Sequence, residues 1–223
     1  GLLHLFESQQ RSLFSRDQRR TINAVAGVVG WLGPRLAGLR IECDNAHWLQ
    51  QRPAVVVFNH QSGLDPVLLC AVLRRDMVGV AKQPLARNPL LGPLLRFPGT
   101  IFLGGKDAAR RERVLQQVQQ VLDRGLSVVM APEGTRVNRH DGSHISVGHF
   151  RSGACEIAQR CQVPLLAVVI HNSGERLAAR SRQLFPGPVR ITILPPRFIA
   201  PDQDPEQATR QLEQDYAATL AQG

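Results

Sequence analysis

Residues 54–58, Ala-Val-Val-Val-Phe, form an unbroken apolar run rich in β-branched side chains. Five residues are too few for a helix. A strand with no polar alternation is buried on both faces, so it belongs inside a sheet that is covered above and below. Residues 77–81 and 163–170 repeat the pattern, and 100–103 and 126–130 read as further strands. Residues 41–47 read as a first strand and turn, and 189–194 as an edge-like strand. Helical patterns lie between them. Residues 67–73 form one. Residues 106–124 form another, with Val114, Val118, Val121 and Leu122 on one face and Gly125 as its end. Residues 151–161 form a third, and Asp204 caps a last helix that starts at Pro205 and runs to about 220. Strands alternating with helices predict a single α/β domain with a mainly parallel sheet flanked by helices. The stretch 82–97, with Pro84, Pro89 and Pro93 among leucines, reads as a loop: a plain surface loop, or an apolar cover for a lipid chain or a membrane contact.

Two polar turns follow strands. The first is Asn59-His60-Gln61-Ser62-Gly63-Leu64-Asp65, which leads into Pro66. Asp65 reads as an N-cap, with Pro66 as first helical residue and Val67, Leu68, Leu69 and Val72 as the apolar stripe. Strand ends that feed helices through polar turns are where open α/β sheets carry their chemistry. His60 and Asp65 are either a base and its partner or a turn histidine and a helix cap. The second turn is Ala131-Pro132-Glu133-Gly134-Thr135-Arg136. Glycine permits a tight turn, threonine brings a hydroxyl, and arginine brings a planar fork for phosphate or carboxylate. Glu133 would hold Arg136 or bind a substrate hydroxyl. The plain alternative is a solvated loop.

Charge narrows the partners. The chain holds 27 Lys+Arg against 18 Asp+Glu, a net +9. From Pro201 onward there are five acids and one Arg, a balance of −4, so the first 200 residues carry +13. Such an excess favours polyanions or an anionic membrane surface. Nucleic acid is disfavoured: aromatics are only 5%, with one Tyr, too few stacking faces for single-strand binding. Cys43, Cys70, Cys155 and Cys161 show no C-x-x-C spacing and read as reduced thiols of a cytosolic protein. His140, His144 and His149 lie near Asp141, but Gly142 breaks the helical spacing, so no metal site is predicted.

No apolar run reaches the length of a membrane span, and the N-terminus lacks a signal-peptide layout. The first residue is Gly rather than Met, which suggests trimming and a missing upstream segment. Residues 2–39 read as two helical pieces with a break at Gly33-Pro34. Leu2, Leu3, Phe6 and Leu13 oppose Arg11, Arg16, Arg19 and Arg20, and a Trp31-containing apolar piece follows. This suits either a monotopic membrane anchor or packing on the domain's own core. The expected division is a membrane-associating segment, 1–40, and an α/β domain, 41–223.

The two turns together carry more than either alone. His60-x4-Asp65, followed by Pro-Glu-Gly-Thr-Arg at 132–136, resembles the HX4D motif and acceptor motif of the glycerolipid acyltransferase family. Within it, the chain resembles the 1-acylglycerol-3-phosphate (lysophosphatidic acid) acyltransferases. Further segments resemble the family in order: Val80-Ala81-Lys82-Gln83-Pro84-Leu85, Gly99-Thr100-Ile101-Phe102, His149-Phe150-Arg151-Ser152-Gly153, and the strand from Val163 to Ile170.

The resemblance implies transfer of a fatty acyl group from acyl-CoA or acyl carrier protein (acyl-ACP) to a lysophospholipid hydroxyl. These donors are co-substrates, and no cofactor is implied. His60 would be the general base, since imidazole titrates near neutrality, and Asp65 would fix its tautomer. Glu133, Gly134, Thr135 and Arg136 match the acceptor-binding motif, with Lys82 and Arg151 as further phosphate contacts. A monotopic or peripheral place on the cytoplasmic side of an anionic membrane is expected from the basic excess, the N-terminal helices and the Leu/Pro stretch at 84–97. The family's second motif continues Phe-Ile-Asp-Arg, whereas this chain has Phe102-Leu103-Gly104-Gly105. Lys106 follows and would reach the same place, but without a bidentate fork. That departure keeps open another headgroup, a different hydroxyl lipid, a thioesterase, or a non-catalytic lipid- or carrier-binding module.

Overall fold

A computed structural model describes residues 16–89, 91–96, 99–104, 108–136, 147–178 and 181–222. Residues 2–15, Lys106, and His140, Asp141 and His144 lie outside the described residues.

The elements, in chain order, are α1 (Arg16–Leu36), β1 (Leu39–Asp44), a 3₁₀ turn (Ala46–Gln50), β2 (Val55–Phe58), α2 (Asp65–Leu73) and β3 (Met77–Lys82). Next come α3 (Gln83–Ala86), α4 (Leu91–Arg96), β4 (Ile101–Leu103), α5 (Ala108–Asp123) and β5 (Ser127–Met130). The chain closes with α6 (Gly153–Arg160), β6 (Leu165–Ile170), α7 (Ser173–Arg176), β7 (Gly187–Ile193) and α8 (Pro205–Ala221).

The seven strands form one sheet in the order β1-β7-β6-β2-β5-β3-β4. Every pairing is parallel except β6 with β7. β2 lies at the centre, with Val55 and Val56 opposite Val128 and Val129 of β5 on one side and Leu165 and Leu166 of β6 on the other.

Alternation along these strands divides the core into two layers. Val55, Val57, Val128, Leu165, Ala167 and Val169 face one way, against Val118, Val121 and Leu122 of α5, Ala154 and Ile157 of α6, and Leu212 and Tyr216 of α8. Ala54, Val56, Phe58, Val129, Leu166, Val168 and Ile170 face the other way, against Leu68, Leu69 and Leu73 of α2. All four residues of β2 and all six of β6 are buried, as an apolar run without alternation requires.

Several expectations are corrected. β7 is an inner strand, because β1 lies parallel along its outer side from Leu39↔Gly187 to Asp44↔Thr192. It reads like an edge because only one face is covered: Val189, Ile191 and Ile193 are buried, while Arg190 is exposed. The stretch after Lys82 is two short helices rather than a loop. Pro84 sits in the first turn of α3, where its missing N–H costs nothing.

Residues 33–34 do not break α1. Pro34 stands in its last turn, and the preceding glycines serve packing. A Cβ on Gly30 would lie 2.4 Å from the Cys70 carbonyl carbon and oxygen of α2, and one on Gly33 would lie 2.4 Å from Val67 Cγ1. Arg19 Nε donates to Asp76 Oδ1 at 2.8 Å and ties the start of the helix to the turn before β3.

Gly27, one helical turn before Gly30, has no atom within 4 Å of its would-be Cβ. Gly30→Ala should therefore destabilise the fold by about 1–3 kcal/mol through overpacking. Gly27→Ala should be neutral or stabilise by up to about 1 kcal/mol through helix propensity. Urea denaturation of both variants checks this; equal effects would contradict the close α1–α2 contact.

Candidate active site

β2 ends at Phe58, and the next seven residues turn back over the sheet to start α2. Of the two readings of Asp65, helix cap and partner of His60, the cap is corrected: Leu64 holds the cap position, and the Asp65 carboxylate turns back into its own loop. Asp65 is fully buried at 0% exposure. Its Oδ2 accepts from the Gln61 and Ser62 backbone N–H groups, both at 2.8 Å, and sits 2.7 Å from His60 Nδ1. Its Oδ1 accepts from Ser173 Oγ at 2.5 Å. A buried charge stays tolerable only when its lone pairs are met in this way.

The imidazole packs edge-on against Phe58, with ring centroids 5.5 Å apart, and its side chain is 23% exposed. An ionised Asp65 is an acceptor only. A neutral His60 facing it carries its proton on Nδ1, toward Oδ2, and leaves Nε2 with its lone pair.

The loop is clamped from the end of β6. Asn59 Nδ2 donates to the Ile170 carbonyl, and the Ile170 N–H donates back to Asn59 Oδ1, both at 2.8 Å. Gln61 Nε2 donates to the same carbonyl at 3.0 Å, and Ser62 Oγ donates to the Leu177 carbonyl at 2.7 Å.

The second turn leaves β5 beside the first, since β5 neighbours β2. Gly134 has φ +69°, a left-handed conformation that suits glycine. A Cβ there would meet Lys82 Cε at 3.6 Å and Arg151 Cζ at 3.7 Å, so two cations close on the turn from β3 and from the segment before α6. Arg136 reaches the first turn, its Nη1 being 3.8 Å from a would-be Cβ on Gly63. None of Lys82, Arg136 and Arg151 has a carboxylate partner among the described residues. Thr135 is exposed on the same turn.

Glu133 does not hold Arg136. It is buried, and the backbone N–H groups of His60 and Gly148 face its carboxyl. Its Oε2 has no hydrogen-bond partner among the described residues. Burial pushes its pKa up to about 8, helped by the charges of Asp65 and Glu213 and opposed by those two N–H groups.

The family model described as Acyltransferase matches residues 40–171, which include His60, Asp65, Lys82, both turns and Arg151. The chain belongs to the acyltransferase family. It is 32% identical over 180 residues to the human (Homo sapiens) 1-acyl-sn-glycerol-3-phosphate acyltransferase alpha, covering 78% of this chain and 62% of that one. It is 28% identical over 152 residues to a probable 1-acyl-sn-glycerol-3-phosphate acyltransferase of Mycoplasma genitalium, covering 66% of this chain and 54% of that one. The chain thus spans roughly three-fifths of the length of the curated relatives it matches. The crystal structure of the 1-acyl-sn-glycerophosphate (LPA) acyltransferase PlsC from Thermotoga maritima shares the fold, with a TM-score of 0.72 at 23% identity over 98% of this chain and 88% of that one.

Within this member of the family, the structure brings His60, Asp65, Glu133, Gly134, Arg136, Lys82 and Arg151 to the C-terminal ends of the parallel strands, as open α/β sheets do. Lys106 lies outside the described residues. Gly104 is packed so tightly that a Cβ would lie 2.5 Å from Gln83 Cβ. Arg110 Nη2 donates to Gln83 Oε1 at 3.0 Å and lies 3.5 Å from that same Cβ position. The sequence reading missed Arg110, Asn59, Gln61 and Ser173. Their partners lie 27 to 111 residues away, and the only local signal was a polar His171-Asn172-Ser173 after a long apolar strand.

Glu133 makes stability depend on pH. Between the ordinary value of 4.5 and about 8, the folded chain keeps a proton that the unfolded chain has lost. This contribution is complete below 4.5 and is lost as pH rises through 8, on the order of a few kcal/mol. Glu133→Gln should remove it. In urea titrations the variant should gain on the wild type between pH 5 and pH 9, whereas parallel curves would mean Glu133 is ionised throughout.

Proposed function

We propose that the chain is an O-acyltransferase moving a fatty acyl group from acyl-CoA or acyl-ACP to the hydroxyl of a lysophospholipid-type acceptor such as 1-acylglycerol-3-phosphate. The observation that carries this reading is a partly exposed imidazole, backed by a buried carboxylate, beside cations that lack described carboxylate partners. In the mechanism, His60 Nε2 takes the proton of the acceptor hydroxyl as its oxygen attacks the thioester carbonyl. The imidazolium is stabilised by Asp65, by the logic of a Ser-His-Asp triad without an enzyme nucleophile. The tetrahedral intermediate collapses, the C–S bond breaks, and His60 returns its proton to the thiolate. The products are an ester and a free thiol. Arg136, Lys82 and Arg151 bind the acceptor's anionic headgroup, with Gly134 keeping the turn open to them and exposed Thr135 offering a hydroxyl. A neutral Glu133 adds no negative charge beside that headgroup.

The names of the relatives favour a lysophosphatidic acid acceptor, and the tight packing at Gly104 favours testing other headgroups beside it. Thiol release from a long-chain acyl-CoA, measured over a panel of lysophospholipids, tests the reading. His60→Ala should lower acceptor-dependent release by about 10²–10⁴-fold. Arg136→Ala should raise KM for the acceptor more than it lowers kcat. Free fatty acid formed at one rate with or without acceptor would instead mean a thioesterase, and no turnover with either thioester would mean a binding module.

We also infer membrane association for the segment up to residue 40. No helix among the described residues is long and apolar enough to cross a membrane. However, the outer face of α1 exposes Val28, Trp31 at 61% and Leu36 at 77%. Arg35 lies over the Trp31 ring, 4.7 Å from its centroid, a pairing of aromatic and cation that suits a lipid headgroup boundary. Arg19 is already engaged by Asp76, so Arg20 and Arg35 are the cleaner probes. Trp31→Ser with Leu36→Ser should abolish co-sedimentation with vesicles containing anionic phosphatidylglycerol, and Arg20→Gln with Arg35→Gln should weaken it and lessen its salt sensitivity. Unchanged binding by both pairs would sink the assignment of this face.

A further inference from the structure

We propose that Ser173 is a positioning residue of the His60–Asp65 pair, holding the Asp65 carboxylate in the rotation that presents Oδ2 to His60. The two oxygens of that carboxylate are not equivalent here. Oδ2 receives the Gln61 and Ser62 N–H groups and faces His60 Nδ1, whereas Oδ1 receives one donor among the described residues, Ser173 Oγ at 2.5 Å. The terminal torsion of an aspartate is broad, so backbone packing alone does not set its angle. The three groups on Oδ2 hold one end, and the donor on the far oxygen holds the other. Ser173 and Asp65 are both fully buried at 0% exposure, so no water replaces the hydroxyl without rearrangement.

The placement of that hydroxyl is itself dictated by the fold. Ser173 opens α7 three residues past Ile170, whose backbone exchanges two hydrogen bonds with Asn59. Four residues further on, the Leu177 carbonyl accepts from Ser62 Oγ. The segment 170–177 is therefore registered to the 59–65 loop on both sides of Ser173. Each contact spans more than 100 residues of chain. The dyad belongs to two segments, one carrying the base and its partner, the other setting the partner's angle.

Removing the hydroxyl leaves Oδ1 without a donor and frees the carboxylate to turn toward other partners. His60 then loses the acceptor that fixes its tautomer, while Lys82, Arg136 and Arg151 are untouched. The kinetic part of this inference rests on the acyltransferase reading; the spectroscopic part does not.

The test uses the full chain with Ser173→Ala and Ser173→Cys. A thiol is close in size to the hydroxyl but a weaker donor. Three quantities are read: kcat and KM with a long-chain acyl-CoA and the best lysophospholipid, the downfield proton resonance of His60 Nδ1 (assigned by its loss in His60→Ala), and the thermal midpoint. Ser173→Ala should lower kcat about 10- to 100-fold with KM within about two-fold, the scale typical of a group that orients a reacting residue. The resonance should move upfield or broaden into exchange with water, and Ser173→Cys should fall between wild type and Ala in both readouts. A variant that loses only thermal stability, keeping kcat and the resonance, overturns the proposal. So does a Cys variant that matches wild type in both. Should the Ala variant not fold, the Cys variant decides on the same readouts. A wild type without acceptor-dependent transfer defeats the functional reading, and the resonance still decides the role of Ser173.

Discussion

The site depends on one buried charge. Asp65 has no access to water, and a carboxylate in that position is stable only if its lone pairs are filled by protein donors. Two donors come from the backbone of its own loop, one from the imidazole five residues back, and one from a serine at the far end of β6. Meeting that requirement fixes the path of 59–65, because Gln61 and Ser62 must aim their N–H groups inward. His60 is thereby left on the rim, with one nitrogen committed and the other free.

The two polar turns lie together because β5 pairs with β2 in parallel, so both strands end on the same edge of the sheet. The resulting site is electrostatically divided. Its floor holds Asp65 and Glu133, and its rim holds Lys82, Arg136 and Arg151. Burial strips Glu133 of water and raises its pKa, and the charge of nearby Asp65 adds to the cost of a second ionised carboxylate. Protonation leaves the floor with one negative charge, the one that serves the imidazole. Small residues keep the rim accessible: Gly134 lets Lys82 and Arg151 approach, and Gly63 leaves space under Arg136.

The same economy of small residues shapes α1. Gly30 and Gly33 bring it into backbone contact with α2, the helix whose first residue is Asp65. Its opposite side carries Trp31 and Leu36 outward. A helix with glycine on its inner face and large apolar groups on its outer face is held by the domain while offering a surface to something else. The two readings open to this segment in the sequence, packing on the core and meeting a membrane, therefore concern different faces of one helix.

Short-range physics was legible in the sequence alone. Unbroken apolar runs identified the doubly covered strands. The 3.6-residue period marked α5. Asp204 before Pro205 marked the start of α8, where its carboxylate does accept from Glu206 and Gln207. The residue types of the two turns marked a candidate site, because a base needs a partner and an anion needs cations whatever the fold. The tertiary structure decided everything that depends on long-range pairing. It placed β1 outside β7, decided for Asp65 between helix cap and neighbour of His60, buried Glu133 without an ion pair to Arg136, and filled the space at Gly104 with Gln83. It also supplied Ser173 to the dyad from 108 residues away. A hydrogen bond across that separation leaves no trace in local periodicity or capping, because only the parallel register of β2 and β6 brings the two ends together.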